Sequence, residues 1–202
     1  ILLLAQNGLF SSPDKQINID DVQQEMERYN LKDRISEIQL SLSDGCNLAC
    51  KYCYCRLIPD RGQNLMSQET AKKSIDFLVA QSSNNVSITM FGGEPLLNKP
   101  VIDFIMEYTK TEPITSTGKT INYIITTNAT LLDQKTIDYI VNDNFGLMVS
   151  LDGPKELHDA QCPTKSGEGS FDLAARNIKK LMARRTVGVR ATMAHPMPDL
   201  KI

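Results

Sequence analysis

A regular alternation of strand-like and helix-like segments constrains the fold of this chain more than any other feature. Residues 38–42 alternate apolar and polar side chains, which is typical of a strand with one buried face. In residues 67–81 the apolar side chains recur at helical spacing, and Ser67 is suited to cap the first turn. Taken along the chain, the pattern predicts strands at 38–42, 86–90, 121–126, 146–151 and 187–193, and helices at 67–81, 98–108, 133–141 and 171–184.

Five strands separated by four helices imply right-handed crossovers and a parallel sheet. A closed eight-stranded α/β barrel takes about 250 residues and more strands than this pattern supplies. The chain also ends just after the fifth predicted strand. We therefore predict an α/β fold, an incomplete or open barrel, whose chemistry gathers on the loops after the carboxyl ends of the strands.

Residues 1–34 precede this pattern and are predicted to form a lead-in segment. Within it Val22, Met26 and Tyr29 recur at helical spacing after two acidic residues, which predicts a short amphipathic helix that packs on the core. The core domain is expected over residues 35–202. Because the chain stops just after the fifth predicted strand, we expect this domain to be incomplete at its carboxyl end, and the missing initiator methionine indicates a fragment.

Composition and charge exclude several classes of protein. A net charge of −2 gives no basic surface for nucleic acid or for an anionic membrane. No apolar run approaches the ~18 residues of a membrane-spanning helix, and the first five residues lack the basic flank of a signal peptide. We expect a cytoplasmic protein that binds neither nucleic acid nor membrane.

The cysteines are clustered directly after the first predicted strand. Four of the five lie within ten residues, at Cys46, Cys50, Cys53 and Cys55. Such a set is a poor disulfide framework and a good metal-binding one, and it favours a reducing compartment. Three thiolates at C-x3-C-x2-C spacing are suited to a soft metal centre, either zinc or an iron–sulfur cluster.

The number of ligands separates these alternatives. Structural zinc takes four ligands, but a second cysteine pair is missing here and both histidines are distant in sequence. Cys55 could be a fourth ligand only through a tight turn that the sequence does not indicate. Three ligands on a four-iron cluster leave one iron open for a substrate or cofactor. The softness and number of the ligands, together with the family resemblance described next, favour the open cluster over zinc and over unliganded thiols.

This segment and the motifs that follow resemble the radical S-adenosylmethionine (SAM) superfamily. The spacing Cys46-x3-Cys50-x-Tyr52-Cys53 resembles that family's cluster loop. The later motifs are Phe91-Gly92-Gly93-Glu94-Pro95, Thr126-Thr127-Asn128-Ala129-Thr130, Ser150-Leu151-Asp152-Gly153-Pro154, His158-Asp159 and Gly167-Glu168-Gly169-Ser170-Phe171. This order is similar to the branch of anaerobic sulfatase-maturating enzymes and peptide maturases that carry a SPASM domain.

The resemblance implies a partial (β/α)6-type barrel, here with about five strands and four helices. It implies that Cys46, Cys50 and Cys53 bind a 4Fe–4S cluster, at which SAM is reductively cleaved to a 5′-deoxyadenosyl radical. The enzyme would be an oxidoreductase that abstracts hydrogen from a peptide or protein side chain, for oxidation or crosslinking. An electron donor such as flavodoxin or ferredoxin would reduce the cluster.

The resemblance also implies contacts with SAM. Tyr52 lies where the family places an aromatic ring near the adenine. The other residues implied are Gly92, Gly93, Glu94, Thr127, Asn128, Ser150 and Asp152. Glycines let a backbone approach a ligand closely, which suits the ammonium group of SAM. For Asp152 the alternative is an ordinary Asp-Gly-Pro turn.

The sequence departs from the family's pattern at two positions. Ala129 stands where a glycine is usual, and Cys162 stands where this branch usually has an arginine three residues after Asp159. If that arginine holds the SAM carboxylate, Arg190 on the fifth predicted strand is the candidate substitute, and an arginine at the barrel rim is the alternative. His158 is expected to structure its loop.

Two other functions remain open from the sequence alone. The chain could be a zinc-stabilised binding module, in which the cysteines are purely structural. It could also be a non-catalytic fragment of a radical SAM enzyme, since no SPASM domain follows.

Overall fold

Five parallel strands form one sheet in the order β1-β2-β3-β4-β5, so that each strand lies beside its neighbours in sequence. The structure, a computed structural model, describes residues 24, 27, 28, 35–54, 64–81, 84–143 and 145–192. The strands are β1 (Glu37–Ser43), β2 (Asn85–Gly92), β3 (Thr120–Thr127), β4 (Gly146–Ser150) and β5 (Gly188–Arg190). The predicted α/β fold with one parallel five-stranded sheet is confirmed.

Helices connect consecutive strands. They are α1 (Gln68–Gln81), α2 (Lys99–Tyr108), α3 (Glu112–Thr115), α4 (Gln134–Asn142), α5 (Lys155–Gln161) and α6 (Phe171–Met182), with a 3₁₀ turn at Pro95–Asn98. The short helices α3 and α5 were not predicted, because one or two turns carry too little periodicity to be detected. The fifth strand is also shorter than the predicted 187–193.

The sheet has one apolar face and one polar face. Alternate strand residues pack with the helices into a single core, formed on the strands by Leu40, Leu42, Val86, Ile88, Met90, Tyr123, Ile125 and Val149. The residues between them are mostly polar. Gln39 and Ser41 are exposed on β1, and Ser150 is half-buried on β4. One face is therefore available for chemistry while the other supplies stability.

Capping side chains fix where two helices begin. Ser67 Oγ accepts a hydrogen bond of 3.0 Å from the Thr70 amide, as the sequence predicted for α1. Asp133 caps α4 in the same way and accepts from the Thr136 amide at 2.9 Å. Ser67 ends the connection that follows the cysteine segment, and Asp133 ends the loop that follows β3. The two caps therefore fix where these connections end.

Little of the predicted lead-in falls among the described residues. Residues 24, 27 and 28 are helical and exposed, and the rest of the helix predicted around them lies outside the described residues. The boundary at residue 34 stays a prediction. No helix in the described part of the chain has the length and apolar character needed to cross a bilayer.

Candidate functional site

The motifs singled out in the sequence meet at one edge of the sheet. The cysteine segment follows Ser43 at the end of β1, the Gly-Gly-Glu motif lies at the end of β2, and Thr127 and Ser150 are the last residues of β3 and β4. Because the carboxyl ends of parallel strands lie at the same edge, residues far apart in sequence become neighbours there.

The thiols of Cys46, Cys50 and Cys53 lie on one loop, which we call the cysteine loop (residues 44–54). All three are partly exposed and free of disulfide bonds. A hydrogen bond of 3.1 Å from the Cys53 amide to the Cys50 carbonyl closes the turn between the last two. Cys55 lies outside the described residues.

The cysteine loop pairs with a segment that follows α5. The Ala49 amide donates to the Pro163 carbonyl and the Lys51 amide to the Gln161 carbonyl, each at 2.8 Å. An isolated antiparallel bridge between Leu48 and Thr164 continues this pairing. This pairing supports the backbone of the cysteine loop, and the sequence did not predict it.

Two hydrogen-bond donors lie near the Cys46 sulfur. The Leu48 amide lies 3.4 Å from Sγ and Asn128 Nδ2 lies 3.8 Å from it. Burial raises the pKa of the Cys46 thiol to about 11, so binding a metal here has to displace a proton. For Cys50, a hydrogen bond with Cys162 lowers the pKa and favours the thiolate.

Gly92 and Gly93 allow the β2 loop to lie directly on the cysteine loop. A Cβ on Gly92 would lie 2.4 Å from the Ser43 carbonyl oxygen, and one on Gly93 would lie 2.3 Å from that of Gly45. Two backbone hydrogen bonds form across this contact, from the Gly93 amide to Ser43 at 2.8 Å and from the Glu94 amide to Gly45 at 2.9 Å. The atoms nearest to both glycines are thus protein backbone, and their contact with SAM stays a prediction.

Glu94 is a buried carboxylate, 1% exposed, that joins β2 to β3. Its Oε1 accepts from the Leu96 amide at 3.0 Å and from Thr127 Oγ1 at 2.7 Å, and its Oε2 accepts from the Asn128 amide at 2.9 Å. Burial raises the pKa of Glu94, although these hydrogen bonds oppose the shift. The side chain holds the two strand ends together.

Asn128 connects the end of β3 to the cysteine loop. Its Nδ2 donates to Asn47 Oδ1 at 3.0 Å, and its Oδ1 accepts from the Thr130 hydroxyl at 2.6 Å. The next residue, Ala129, has a φ of 61° in the left-handed region that favours glycine. Asn177 on α6 donates to the Ala129 carbonyl at 2.9 Å. The chain therefore keeps the backbone shape expected for glycine without having glycine there.

Ser150 and Arg190 are register partners on β4 and β5. Paired residues on neighbouring strands point to the same face of a sheet, so these two side chains share a face. Ser150 is half-buried and Arg190 is exposed. The structure brings Arg190 to the expected edge, and its contact with SAM stays a prediction.

Asp152 is a second buried carboxylate, also 1% exposed, just beyond β4. Its Oδ2 accepts from the Tyr52 hydroxyl at 2.6 Å and from Cys162 Sγ at 3.4 Å, and its Oδ1 accepts from the Thr192 amide at 2.9 Å. Burial, followed by the hydrogen bond to Asp152, raises the pKa of Tyr52. The sequence named Tyr52 and Asp152 separately and gave no sign that they bond to each other.

His158 packs beneath this carboxylate and is buried. The Asp152 amide donates to Nδ1 at 3.1 Å, so the ring proton lies on Nε2, which is 3.0 Å from Ser170 Oγ. The Ser170 hydroxyl in turn donates to the Cys162 carbonyl. Burial lowers the pKa of His158 and keeps the ring neutral. The histidine structures its loop, as the sequence indicated.

The donor set suits an iron–sulfur cluster. Among the described residues, no three His, Cys, Asp or Glu side chains form a group that could hold a single metal ion. A four-iron cluster binds its thiolates on different irons, so its ligands are spaced more widely than those around one ion. Three thiols on a single loop, none of them in a disulfide bond and one with N–H donors near its sulfur, are the ligand type that such a cluster takes.

Comparisons with known proteins agree with this chemistry. The family model of the radical SAM superfamily matches residues 40–199. A serine-type anaerobic sulfatase-maturating enzyme of Bacteroides thetaiotaomicron is 33% identical over 141 residues, which cover 67% of this chain and 34% of the relative. The radical SAM cyclopropyl synthase TigE of Paramaledivibacter caminithermalis is 31% identical over 146 residues, or 65% of this chain and 30% of TigE.

Solved structures share the fold. The enzyme anSMEcpe with bound AdoMet superposes with a TM-score of 0.69 at 23% identity, over 78% of this chain and 43% of that one. Streptococcus suis SuiB bound to its precursor peptide SuiA gives a TM-score of 0.59 at 18% identity, over 90% of this chain and 40% of SuiB. The chain spans about a third of the length of the two curated relatives above.

Proposed function

Because the chain belongs to the radical SAM superfamily, we propose that it binds a 4Fe–4S cluster through Cys46, Cys50 and Cys53 and uses SAM to modify a peptide or protein side chain. The observation that carries this proposal is the placement of three thiols, none of them in a disulfide bond, beside the ends of β2, β3 and β4. When bound, the cluster and SAM together supply a 5′-deoxyadenosyl radical that abstracts a hydrogen atom from the substrate.

The protein's own part in this chemistry is to hold and orient the cofactors. Asn128 and the Leu48 amide donate towards the Cys46 sulfur, and such donors tune the charge on a cluster ligand. Glu94 keeps Asn128 in place through the backbone amide of that residue. The β2 and β3 loops therefore act through the cysteine loop as well as through any contact with SAM.

The SAM site is proposed to lie on the polar face of the sheet, next to the cysteine loop. Ser150 and Arg190 share this face, which supports the proposal that both side chains contact the carboxylate of SAM. Tyr52 supplies an aromatic ring between two of the thiols. The backbone of Gly92 and Gly93 supplies polar atoms at the end of β2.

A peptide or protein is the proposed substrate. The solved structures with this fold include anSMEcpe with bound AdoMet and a peptide, and SuiB with SuiA. The proposed electron donor is a flavodoxin or ferredoxin, and the proposed compartment is the cytoplasm.

The test is to purify the protein without oxygen, reconstitute it with iron and sulfide, and record the EPR spectrum of the reduced protein with and without SAM. We expect a 4Fe–4S signal that changes when SAM is added. The signal should be lost in Cys50→Ala and retained in the matched variant Cys55→Ala.

Other outcomes separate the alternatives. One zinc per chain and no cluster would overturn the proposal in favour of a structural metal module. A cluster whose spectrum is indifferent to SAM would support the non-catalytic fragment. A response to SAM, followed by 5′-deoxyadenosine formation on reduction, would support the enzyme.

A further inference from the structure

Asp152 is a buried carboxylate to which the motif comparison assigned only a SAM contact. We propose instead that Asp152 is a positioning residue, which holds Tyr52 and thereby the Cys50–Cys53 turn against the end of β4. This inference rests on the proposed function, since the turn matters because its thiols bind the cluster.

Three segments of the chain converge on this carboxylate. Tyr52 comes from the cysteine loop, Cys162 from the segment after α5, and the Thr192 amide from the chain beyond β5. The Tyr52 contact is the shortest of the three, at 2.6 Å. Since Asp152 is 1% exposed, water does not compete freely for these hydrogen bonds.

The carboxylate has neutral partners only. None of the ion pairs found within the described residues includes Asp152. Its stabilisation therefore depends on hydroxyl, thiol and amide donors, and the loss of one leaves an oxygen atom poorly satisfied in a buried place. This makes the Tyr52 hydroxyl a strong constraint on where the ring can lie.

The ring position determines the position of two thiols. Tyr52 lies inside the turn that the Cys53 amide closes on the Cys50 carbonyl at 3.1 Å. A ring fixed at its far end by Asp152 restricts rotation of this turn about its own backbone. Partners of metal ligands that act in this way typically affect metal retention by about 10–100-fold.

Cys162 makes this arrangement possible. Its sulfur lies 3.1 Å from the Tyr52 hydroxyl and 3.4 Å from Asp152 Oδ2, and the residue is 3% exposed. An arginine at this position would compete for the same carboxylate through a bidentate ion pair. The small neutral thiol does not compete with Tyr52 for the Asp152 carboxylate. The Asp152–Tyr52 contact therefore depends on the departure from the family pattern at position 162.

The experiment compares Tyr52→Phe, Asp152→Asn, the double variant, and Tyr54→Phe as matched control. Tyr54 is in the same loop and 65% exposed, so its variant removes a phenol hydroxyl outside the buried contact. Three quantities are measured. They are the rate at which an iron chelator removes the reconstituted cluster, hydrogen exchange at the Cys53 amide in cluster-free protein, and the reduction potential of the reconstituted cluster.

We expect cluster loss to be about tenfold faster in each single variant, and the double variant to be no worse than either. Exchange at the Cys53 amide should rise in the same variants. The reduction potential should move to more positive values in Asp152→Asn, because a negative charge near the cluster is removed, and should stay near the wild-type value in Tyr52→Phe, which keeps that charge. Tyr54→Phe should match the unmodified chain.

Wild-type rates in Tyr52→Phe and Asp152→Asn would overturn the inference, as would losses that simply add in the double variant. Tyr52→Phe removes one hydroxyl only, so it keeps the test valid should Asp152→Asn fail to fold, which thermal melting reports. If the unmodified chain takes up no cluster, the proposed function fails. The exchange measurement still decides whether Asp152 holds the turn.

Discussion

Glu94 and Asp152 are two buried carboxylates at the same edge of the sheet, and they are held in different ways. Each is 1% exposed and each accepts three hydrogen bonds from the described residues. Two of the three donors to Glu94 are backbone amides. Two of the three donors to Asp152 are the side chains of Tyr52 and Cys162.

The two carboxylates therefore differ in what they require of the rest of the sequence. Backbone amides are present whatever the side chain, so Glu94 needs only a sharp turn next to it, and the Gly-Gly-Glu motif supplies that turn. The contact at Asp152 needs a tyrosine and a cysteine that approach from elsewhere in the chain. We call the contacts around Glu94 the Glu94 side and those around Asp152 the Asp152 side. We expect the Glu94 side to determine the stability of the fold and the Asp152 side to determine the geometry of the cysteine loop.

The largest effect is expected from Glu94→Ala. The variant leaves the Leu96 and Asn128 amides and the Thr127 hydroxyl without their buried acceptor, and each such group costs about 1–3 kcal/mol. The free energy of unfolding should fall by about 3 kcal/mol or more in a denaturant titration. Glu107→Ala, an exposed glutamate on α2, should change it by less than about 0.5 kcal/mol. Similar losses in the two variants would break the comparison on the Glu94 side.

Gly93→Ala should come next, with a loss of about 2 kcal/mol. The added Cβ would lie 2.3 Å from the Gly45 carbonyl oxygen, so the two backbones must separate. Gly118→Ala is the comparison variant, because no atom lies within 4 Å of its added Cβ and its cost comes from a φ of +67° alone. Its loss should be only about 1 kcal/mol. An unchanged melting temperature in Gly93→Ala would mean that the close contact between the loops contributes nothing.

A smaller effect is expected from acidification, and it belongs to the Asp152 side. Burial holds the pKa of His158 below its ordinary value of 6.5. As the pH falls through about 6.5 the unfolded chain binds a proton that the folded chain resists, so the free energy of unfolding decreases. Above that pH this contribution is fully present.

The measurement is a series of denaturant titrations between pH 8 and pH 5.5. His158→Gln should flatten the slope in this range while lowering stability at pH 8. The variant His195→Gln changes the other histidine of the chain and should keep the slope. A slope that survives in His158→Gln but not in His195→Gln would contradict the assignment.

Ala129→Gly should have the smallest effect, below about 1 kcal/mol. Glycine relieves a left-handed φ of 61°, which is worth about 1–2 kcal/mol. It also loses a fully buried methyl group worth about 0.8 kcal/mol and gains freedom in the unfolded chain worth about 0.5–1 kcal/mol. These terms nearly cancel. A gain well above 1 kcal/mol in thermal melting would show that the alanine is strained, and the β3 loop would then be the weaker part of the Glu94 side.

The sequence predicted the sheet, the four longer helices and the cap at Ser67, because each leaves a local signal in hydrophobic spacing or in residue type. It also placed the cysteines, Glu94 and Asn128 at the same edge, since each follows a predicted strand. The short helix α5 was missed, because seven residues make barely two turns.

Other features of the site had no local signal at all. The bond between Tyr52 and Asp152 joins residues 100 positions apart, and a single sequence does not reveal such a pair. The pairing of the cysteine loop with the segment after α5 uses backbone atoms, which leave no trace in side-chain type. The glycines of the β2 loop were expected to face a ligand, and their nearest neighbours turned out to be another stretch of backbone.

The pairing of the cysteine loop with the segment after α5 has a consequence for how the protein is made. Lys51 bonds to Gln161, and Ala49 to Pro163. Because these partners come much later in the sequence, the cysteine loop leaves the ribosome long before they do. During synthesis the thiols are presented on a segment that has not yet reached its final shape. If the cysteine loop binds iron as proposed, iron inserted at that stage would meet an unsupported loop, and stable loading would follow only after translation has passed α5.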